Sequence, residues 1–326
     1  MKLFRMAACA GALALAPALA QAETWTMATP YPEGNFHTEN VHWFADEVEK
    51  ATDGAVTIDV HSGASMYPMA QIKRALRTGQ IPIAEFFLSA YGNEDPIYEG
   101  DSVPFFANGQ DEAKKLYAAQ KPMIDARLEK EGLVGLYSVP WPGNGLYTKN
   151  AVESMDDFSG MRMRGQTAIL ARLAELMGAS PVDVQFVEVP QAFQTGVIEA
   201  MFTSGTTGVD TQSWDYLNHF YDIAFISPRN IVAVNKRAWD GLSEEQRTAI
   251  LEVAKQAEER GWKRAKALEV EAKETLQANG ITTHDALPPE VAAAMEKIGN
   301  EMISSWVEQA GEDGKTIAET MGWTGQ

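Results

Sequence analysis

Short apolar segments alternate with amphipathic ones from the start of the chain's polar part, and this alternation constrains the fold more than any other feature. Thr24-Trp25-Thr26-Met27-Ala28 reads as a strand, and Asn35 to Thr52 carries Phe36, Val41, Phe44, Val48 and Ala51 at helical spacing. Val56, Ile58 and Val60 then alternate, Met69 to Arg77 is predicted as a helix, and Ile81 to Leu88 as a third strand. A β-α-β-α-β series predicts a doubly wound parallel sheet in an α/β fold, with ligands at the carboxyl ends of the strands.

A second series follows. It comprises a helix over Asp111 to Glu131, a strand over Leu133 to Val139, a strand over Met161 to Gln166 and a helix over Thr167 to Met177. A strand over Pro181 to Phe186 and a helix over Pro190 to Ala200 complete it. Ile231 to Asn235 reads as a strand returning to the first set, which makes the lobes discontinuous. The division is 23–145, with part of 231–326, for lobe 1 and 146–230 for lobe 2.

Ser243-Glu244-Glu245-Gln246 is a helix cap and Gly280 a stop, so 243–279 forms one long helix. About 36 residues span roughly 54 Å at about 1.5 Å per residue, longer than one lobe. The helix therefore braces both lobes or breaks near Gly261. Helices over Pro288 to Gly311 and Lys315 to Met321 make a helical C-terminus within 288–326.

Residues 1–22 have the composition of a cleaved signal peptide: Lys2 and Arg5, an apolar run from Met6 to Leu19, and Ala20-Gln21-Ala22 before Glu23. The run is too short to span a bilayer. Export to the periplasm is expected. Cys9 is the one cysteine, so the mature chain has none, which excludes disulfides, thiol catalysis and cysteine-bound metal. The chain carries 27 Lys+Arg against 45 Asp+Glu; without Lys2 and Arg5 the balance is 25 against 45, a net charge of −20. Nucleic acid is a poor partner for such a chain. An anionic ligand would need a local cation.

Catalytic and metal-binding patterns are missing. The five histidines, His37, His42, His61, His219 and His284, form no metal-ligand spacing, and no nucleophile elbow is present. No cofactor motif is found. Thr203-Ser204-Gly205-Thr206-Thr207-Gly208 lacks the lysine of a phosphate loop and reads as a strand-to-helix turn or a ligand-lining loop. Strand alternation puts Arg162 and Arg164 on one face, and Arg164 lies nearer the carboxyl end where the cleft is expected. A guanidinium forms two parallel charge-assisted bonds with a carboxylate, so Arg164 is the candidate acid clamp.

Asp157-Phe158-Ser159-Gly160-Met161-Arg162-Met163-Arg164 resembles the D-L-K-G-L-K-I-R segment of the solute-binding proteins of tripartite ATP-independent periplasmic (TRAP) transporters. Met177-Gly178-Ala179-Ser180-Pro181-Val182 and Ala192 to Ala200 resemble that family's M-G-A-x-P-V and A-L-Q-x-G-V-I-D-G segments, in the same order. Ile72 to Gly79 is similar to its short helix before the third strand. The resemblance implies a two-lobed periplasmic binding protein, type II-like, that is not an enzyme. Such a receptor closes about a hinge on a small organic acid and delivers it to membrane permease subunits. Carried over, the family's arginine is Arg164, and a monomer is implied.

Departures from the family pattern narrow the ligand. Gly143-Asn144-Gly145 stands where many members have a second arginine, and Thr203 stands in place of an asparagine. These point to a monocarboxylate such as a sugar acid, hydroxy acid or aromatic acid. The rest of the candidate pocket is Gln166, Phe36, His37, Glu85, Ser89, Tyr91, Trp141, Asn144, Tyr147, Ser204 and Trp214. For each aromatic, ordinary packing is the competing role. Glu85, an acid in an apolar strand, must be paired, either with a ligand group or with an arginine. The alternative from another class is a secreted α/β hydrolase or lyase using Glu85 with His37.

Overall fold

The computed structural model describes residues 23–325. The expected signal peptide lies outside them. The first alternation folds as β1 (Glu23–Ala28), α1 (Phe36–Ala51), β2 (Val56–His61), α2 (Met69–Arg77) and β3 (Ile83–Phe87). Next come α3 (Gly109–Lys130), β4 (Leu133–Pro140), β5 (Asn144–Thr148), β6 (Arg162–Arg164), α4 (Ala168–Leu176) and β7 (Ser180–Val182). They are followed by α5 (Val189–Gln194), β8 (Ala200–Ser204), α6 (Gly205–Asp210), β9 (His219–Tyr221) and β10 (Arg229–Asn235). The chain ends with α7 (Lys236–Gly241), α8 (Glu244–Ala278), β11 (Thr282–His284) and α9 (Pro289–Met321).

Two sheets result, with orders β2-β1-β3-β10-β4 and β11-β9-β5-β8-β6-β7. Both are mixed rather than wholly parallel. β10 arrives from the second lobe and enters between β3 and β4 antiparallel to each. β5, which leaves β4 after a turn of only three residues, runs antiparallel to β8 and β9. Sequence periodicity had placed no strand at β5, β9 or β11, because three to five residues are too few to show a period.

Other boundaries moved for identifiable reasons. The helix expected over Pro190 to Ala200 stops at Gln194, because Gly196 turns the chain at φ 71° and releases Ala200 into β8. The strand expected over Pro181 to Phe186 shortens to β7, and a 3-10 turn begins at Phe186. The strand over Met161 to Gln166 is only β6.

The long helix α8 is continuous. Ser243 and Gln246 form the capping box that starts it, and it packs on α1 and β4 at one end and on α6 and β11 at the other. Gly261 is not a break. A Cβ there would lie 2.4 Å from Cγ2 of Val139, so the glycine lets α8 close onto β4. In α9 the helical backbone is interrupted at Gly311, with φ 63° and ψ −136°, where the sequence had placed a boundary. No helix among the described residues is long and apolar enough to cross a membrane.

Candidate ligand-binding cleft

The strand ends of the two sheets face each other across a pocket. Tyr31 follows β1, Phe87 ends β3, Arg164 ends β6, Gln185 and Phe186 follow β7, and Thr203 and Ser204 end β8. Trp141 and Pro228 come from the two crossings between the sheets, Asn144 opens β5, and Met69 and Thr207 come from the first turns of α2 and α6. This is the position that strand polarity assigns to a ligand in an open α/β sheet.

Arg164 is 4% exposed. Its Nε donates to the carbonyl of Val184 at 2.8 Å, and no carboxylate among the described residues lies within ion-pair distance of it. Burial lowers the guanidinium pKa to about 10, against opposing contributions from Tyr31, Asp183, Tyr216 and Glu188, so it stays cationic at neutral pH. It is the one charged side chain among the residues lining the pocket. A buried cation without a counter-ion is costly unless a ligand supplies the charge. Arg162 differs: it is exposed, its Nη2 lies 3.1 Å from Glu199 Oε1, and its Nε donates to the carbonyl of Gly196. Gly165 lets α4 and β7 approach rather than a ligand, since a Cβ there would meet Ala171 and Pro181 at 3.1 to 3.2 Å.

Uncharged polar groups surround the cation. Asn144, Gln166, Gln185, Thr203, Ser204 and Thr207 line the pocket, and Oε1 of Gln166 is buried without a protein partner. The Ser204 hydroxyl caps α6 by accepting from the Thr207 N–H at 3.2 Å. The segment from Thr203 to Gly208 is thus both a strand-to-helix turn and part of the pocket lining.

Behind the lining lies a buried polar network. Oδ1 of Asn230 accepts from Tyr31 OH at 3.2 Å and Trp141 Nε1 at 3.1 Å, while its Nδ2 donates to Glu85 Oε1 at 3.0 Å. Glu85 Oε2 accepts from Thr29 Oγ1 at 2.5 Å. Burial pushes the Tyr31 phenol pKa up, so it remains a donor. The network fixes the two aromatic walls, Tyr31 and Trp141, whose ring centroids lie 5.0 Å apart edge to face.

Seven of the residues suggested for the pocket lie elsewhere. Glu85 is 2% exposed and satisfied by Thr29 and Asn230, neither a ligand group nor an arginine. His37 is 1% exposed, packed among Phe36, Trp141 and Tyr31, with Nδ1 3.3 Å from Glu85 Oε1. Burial lowers its pKa, with Glu85 opposing. The His37–Glu85 pair is therefore enclosed behind the wall and does not line the pocket. Phe36 packs against Trp141 at 5.3 Å in the same wall. Ser89 is buried after β3. The Tyr91 hydroxyl donates to the Met69 carbonyl at 2.8 Å and accepts from the Lys73 N–H, which places it under the N-terminus of α2. Tyr147 stacks on Phe220 at 4.3 Å and reaches the carbonyls of Ser204 and Gly205 from behind. Trp214 is carried outward by the left-handed turn at Gln212, onto a surface groove it shares with Arg162, Phe193 and Tyr216.

Tyr31, Met69, Phe87, Gln185, Phe186 and Pro228 had not been singled out, whereas Thr207 lies in the loop read as a strand-to-helix turn or a ligand-lining loop. The signal for Tyr31, Phe87, Gln185 and Phe186 was present, since each ends or follows a strand at its carboxyl end. Met69 and Pro228 carry no such signal; they enter only because the chain crosses and packs there.

Residues 27–309 match the family described as bacterial extracellular solute-binding protein, family 7. The chain is 44% identical to an extracytoplasmic solute receptor of Bordetella pertussis solved as binding pyroglutamic acid. That match covers 92% of this chain and all of the other, with a TM-score of 0.91. It is 37% identical to a TRAP solute-binding protein from a marine metagenome described as specific for pyroglutamate, covering 93% of this chain and all of the other, with a TM-score of 0.90. The C4-dicarboxylate-binding periplasmic protein of Rhodobacter capsulatus is 28% identical over 290 residues, 84% of this chain and 83% of that protein. The enclosed His37–Glu85 pair and these likenesses set the hydrolase alternative aside: the chain belongs to the bacterial extracellular solute-binding proteins of family 7, the receptors of TRAP transporters, and is not an enzyme.

Proposed function

We propose that the chain is exported to the periplasm through a leader at residues 1–22 and there binds pyroglutamate, which it delivers to a TRAP permease. One observation carries the ligand reading: Arg164 is a buried guanidinium without a protein carboxylate, in a pocket whose other lining side chains are uncharged. Such a pocket suits one carboxylate. A second carboxylate would find no cation, and the ammonium group of an ordinary amino acid would find no anion.

Pyroglutamate meets those terms. Its lactam N–H and C=O are neutral and suit the amides of Asn144, Gln166 and Gln185, and its ring suits Tyr31, Trp141 and Phe186. The pocket is a concavity lined by aromatic side chains and a few polar groups, as small-molecule sites are. The reading is also supported by receptors 44% and 37% identical that are described as binding this acid. It is narrower than the sugar, hydroxy or aromatic acids suggested by the sequence, and it keeps the single carboxylate. In an acidic protein, with 25 Lys+Arg against 45 Asp+Glu in the secreted part, Arg164 supplies the pocket's cation.

The test is a thermal-shift series over pyroglutamate, glutamate, succinate, glucuronate and benzoate, since a ligand bound to the native state raises the melting temperature. The reading expects the largest shift with pyroglutamate and none with glutamate. A larger shift with succinate or glucuronate would overturn it.

A further inference from the structure

Asn35 lies in the turn before α1, on the first lobe, and Asp210 ends α6, on the second. The Asn35 side chain is fully buried and both its ends are used. Oδ1 accepts from the His37 N–H at 3.0 Å, capping α1, and Nδ2 donates to Asp210 Oδ2 at 2.7 Å. The first bond stays within one lobe, and the second crosses the cleft. The Tyr31 and Phe186 rings, centroids 5.5 Å apart, also meet across it.

Residue type is informative here. Serine, threonine, aspartate and asparagine all cap helices, but an aspartate in its charged form cannot also donate to a second carboxylate. An amide offers an acceptor and a donor on one rigid plane. We infer that Asn35 and Asp210 form a latch across the cleft that holds the lobes closed over the ligand, so that both are positioning residues for retention without touching the ligand. A charge-assisted bond at 2.7 Å between side chains from opposite lobes is made on closing and broken on opening. Its effect belongs mainly to the dissociation rate, because it forms after the ligand enters.

The test exploits a swap. Asn35→Asp keeps the acceptor that caps α1 but sets two carboxylates against each other. Adding Asp210→Asn restores one donor and one acceptor with the roles exchanged. With pyroglutamate as the probe and stopped-flow intrinsic tryptophan fluorescence as the readout, Asn35→Asp should raise the dissociation rate by about 10-fold or more. The association rate should change by less than about 3-fold. The double variant should return to within about 3-fold of the parent. Asp210→Ala, which leaves the α1 cap untouched, should raise the dissociation rate about 5-fold and keeps the test open if Asn35→Asp does not fold. Parental dissociation in Asp210→Ala, or a double variant no better than Asn35→Asp, would overturn the latch.

The probe rests on the pyroglutamate reading, so a second readout separates the two. The secreted part has no cysteine of its own. Cysteines placed at Glu49 and Arg172, both exposed, carry spin labels that report the separation of the lobes. If pyroglutamate does not bind the parent, the ligand reading fails; the latch then stands if Asn35→Asp shifts the distances toward longer values, and falls if it does not.

Discussion

Arg164 Nε donates to the Val184 carbonyl at 2.8 Å, and neither Nη group of Arg164 has a protein partner among the described residues. That one bond fixes the plane of the guanidinium and leaves its two-pronged edge for a carboxylate. Val184 follows β7, the strand beside β6, so the guanidinium is oriented by its own sheet neighbour.

A lysine cannot reproduce this arrangement. Arg164→Lys keeps a charge but loses both the Val184 bond and the fork, and should weaken ligand binding by about 1 to 3 kcal/mol in calorimetry. Arg162→Ala should change affinity by less than about 0.5 kcal/mol, because that side chain is exposed and paired with Glu199. A larger loss at Arg162 than at Arg164 would show that the wrong arginine has been assigned.

Asn230 joins Tyr31, Trp141 and Glu85. Asn230→Ala strands a buried carboxylate oxygen and two donors, and should lower stability by about 2 to 4 kcal/mol in denaturant melts while also weakening ligand binding. Normal stability in this variant would contradict the role given to the network.

How far the sequence reveals the site follows from these residues. Arg164 could be found from strand parity and strand direction, both of which survive in a strand of three residues. Glu85 was correctly marked as an acid needing partners, but its partners, Thr29 and Asn230, lie 56 and 145 positions away. Local sequence holds no trace of such pairing. The α/β class and the long helix were legible because periodicity accumulates over many residues; β5, β9 and β11 were not, since pairing with distant strands defines them. Trp214 was misplaced because one left-handed residue, Gln212, reverses the chain just before it.

Gly261 marks a close contact. Gly261→Ala places a methyl 2.4 Å from Val139 Cγ2 and should cost about 1 to 3 kcal/mol by overpacking, where an alanine in an open helix would stabilise. Combining it with Val139→Ala should recover part of the loss. Thermal melts of the two single variants and the pair decide it.

Glu99 predicts a pH effect. Burial, with Asp101 adding, raises its pKa from an ordinary 4.5 to about 7. The native state thus binds the proton more tightly than the unfolded chain does, and stability falls as pH rises from about 4.5 to about 7. Glu99→Gln removes that loss. Its melting temperature should match the parent near pH 4 and exceed it at pH 8, by about 1 kcal/mol in stability. A gap that is constant with pH would show that Glu99 does not titrate in this way.

The central claim is that Arg164 clamps a single carboxylate, and titration calorimetry of pyroglutamate against the parent and Arg164→Ala tests it most directly. The account predicts one-to-one binding by the parent and a loss of about 2 to 4 kcal/mol in a variant that still melts cooperatively. Equal affinity in the folded Arg164→Ala variant would contradict it.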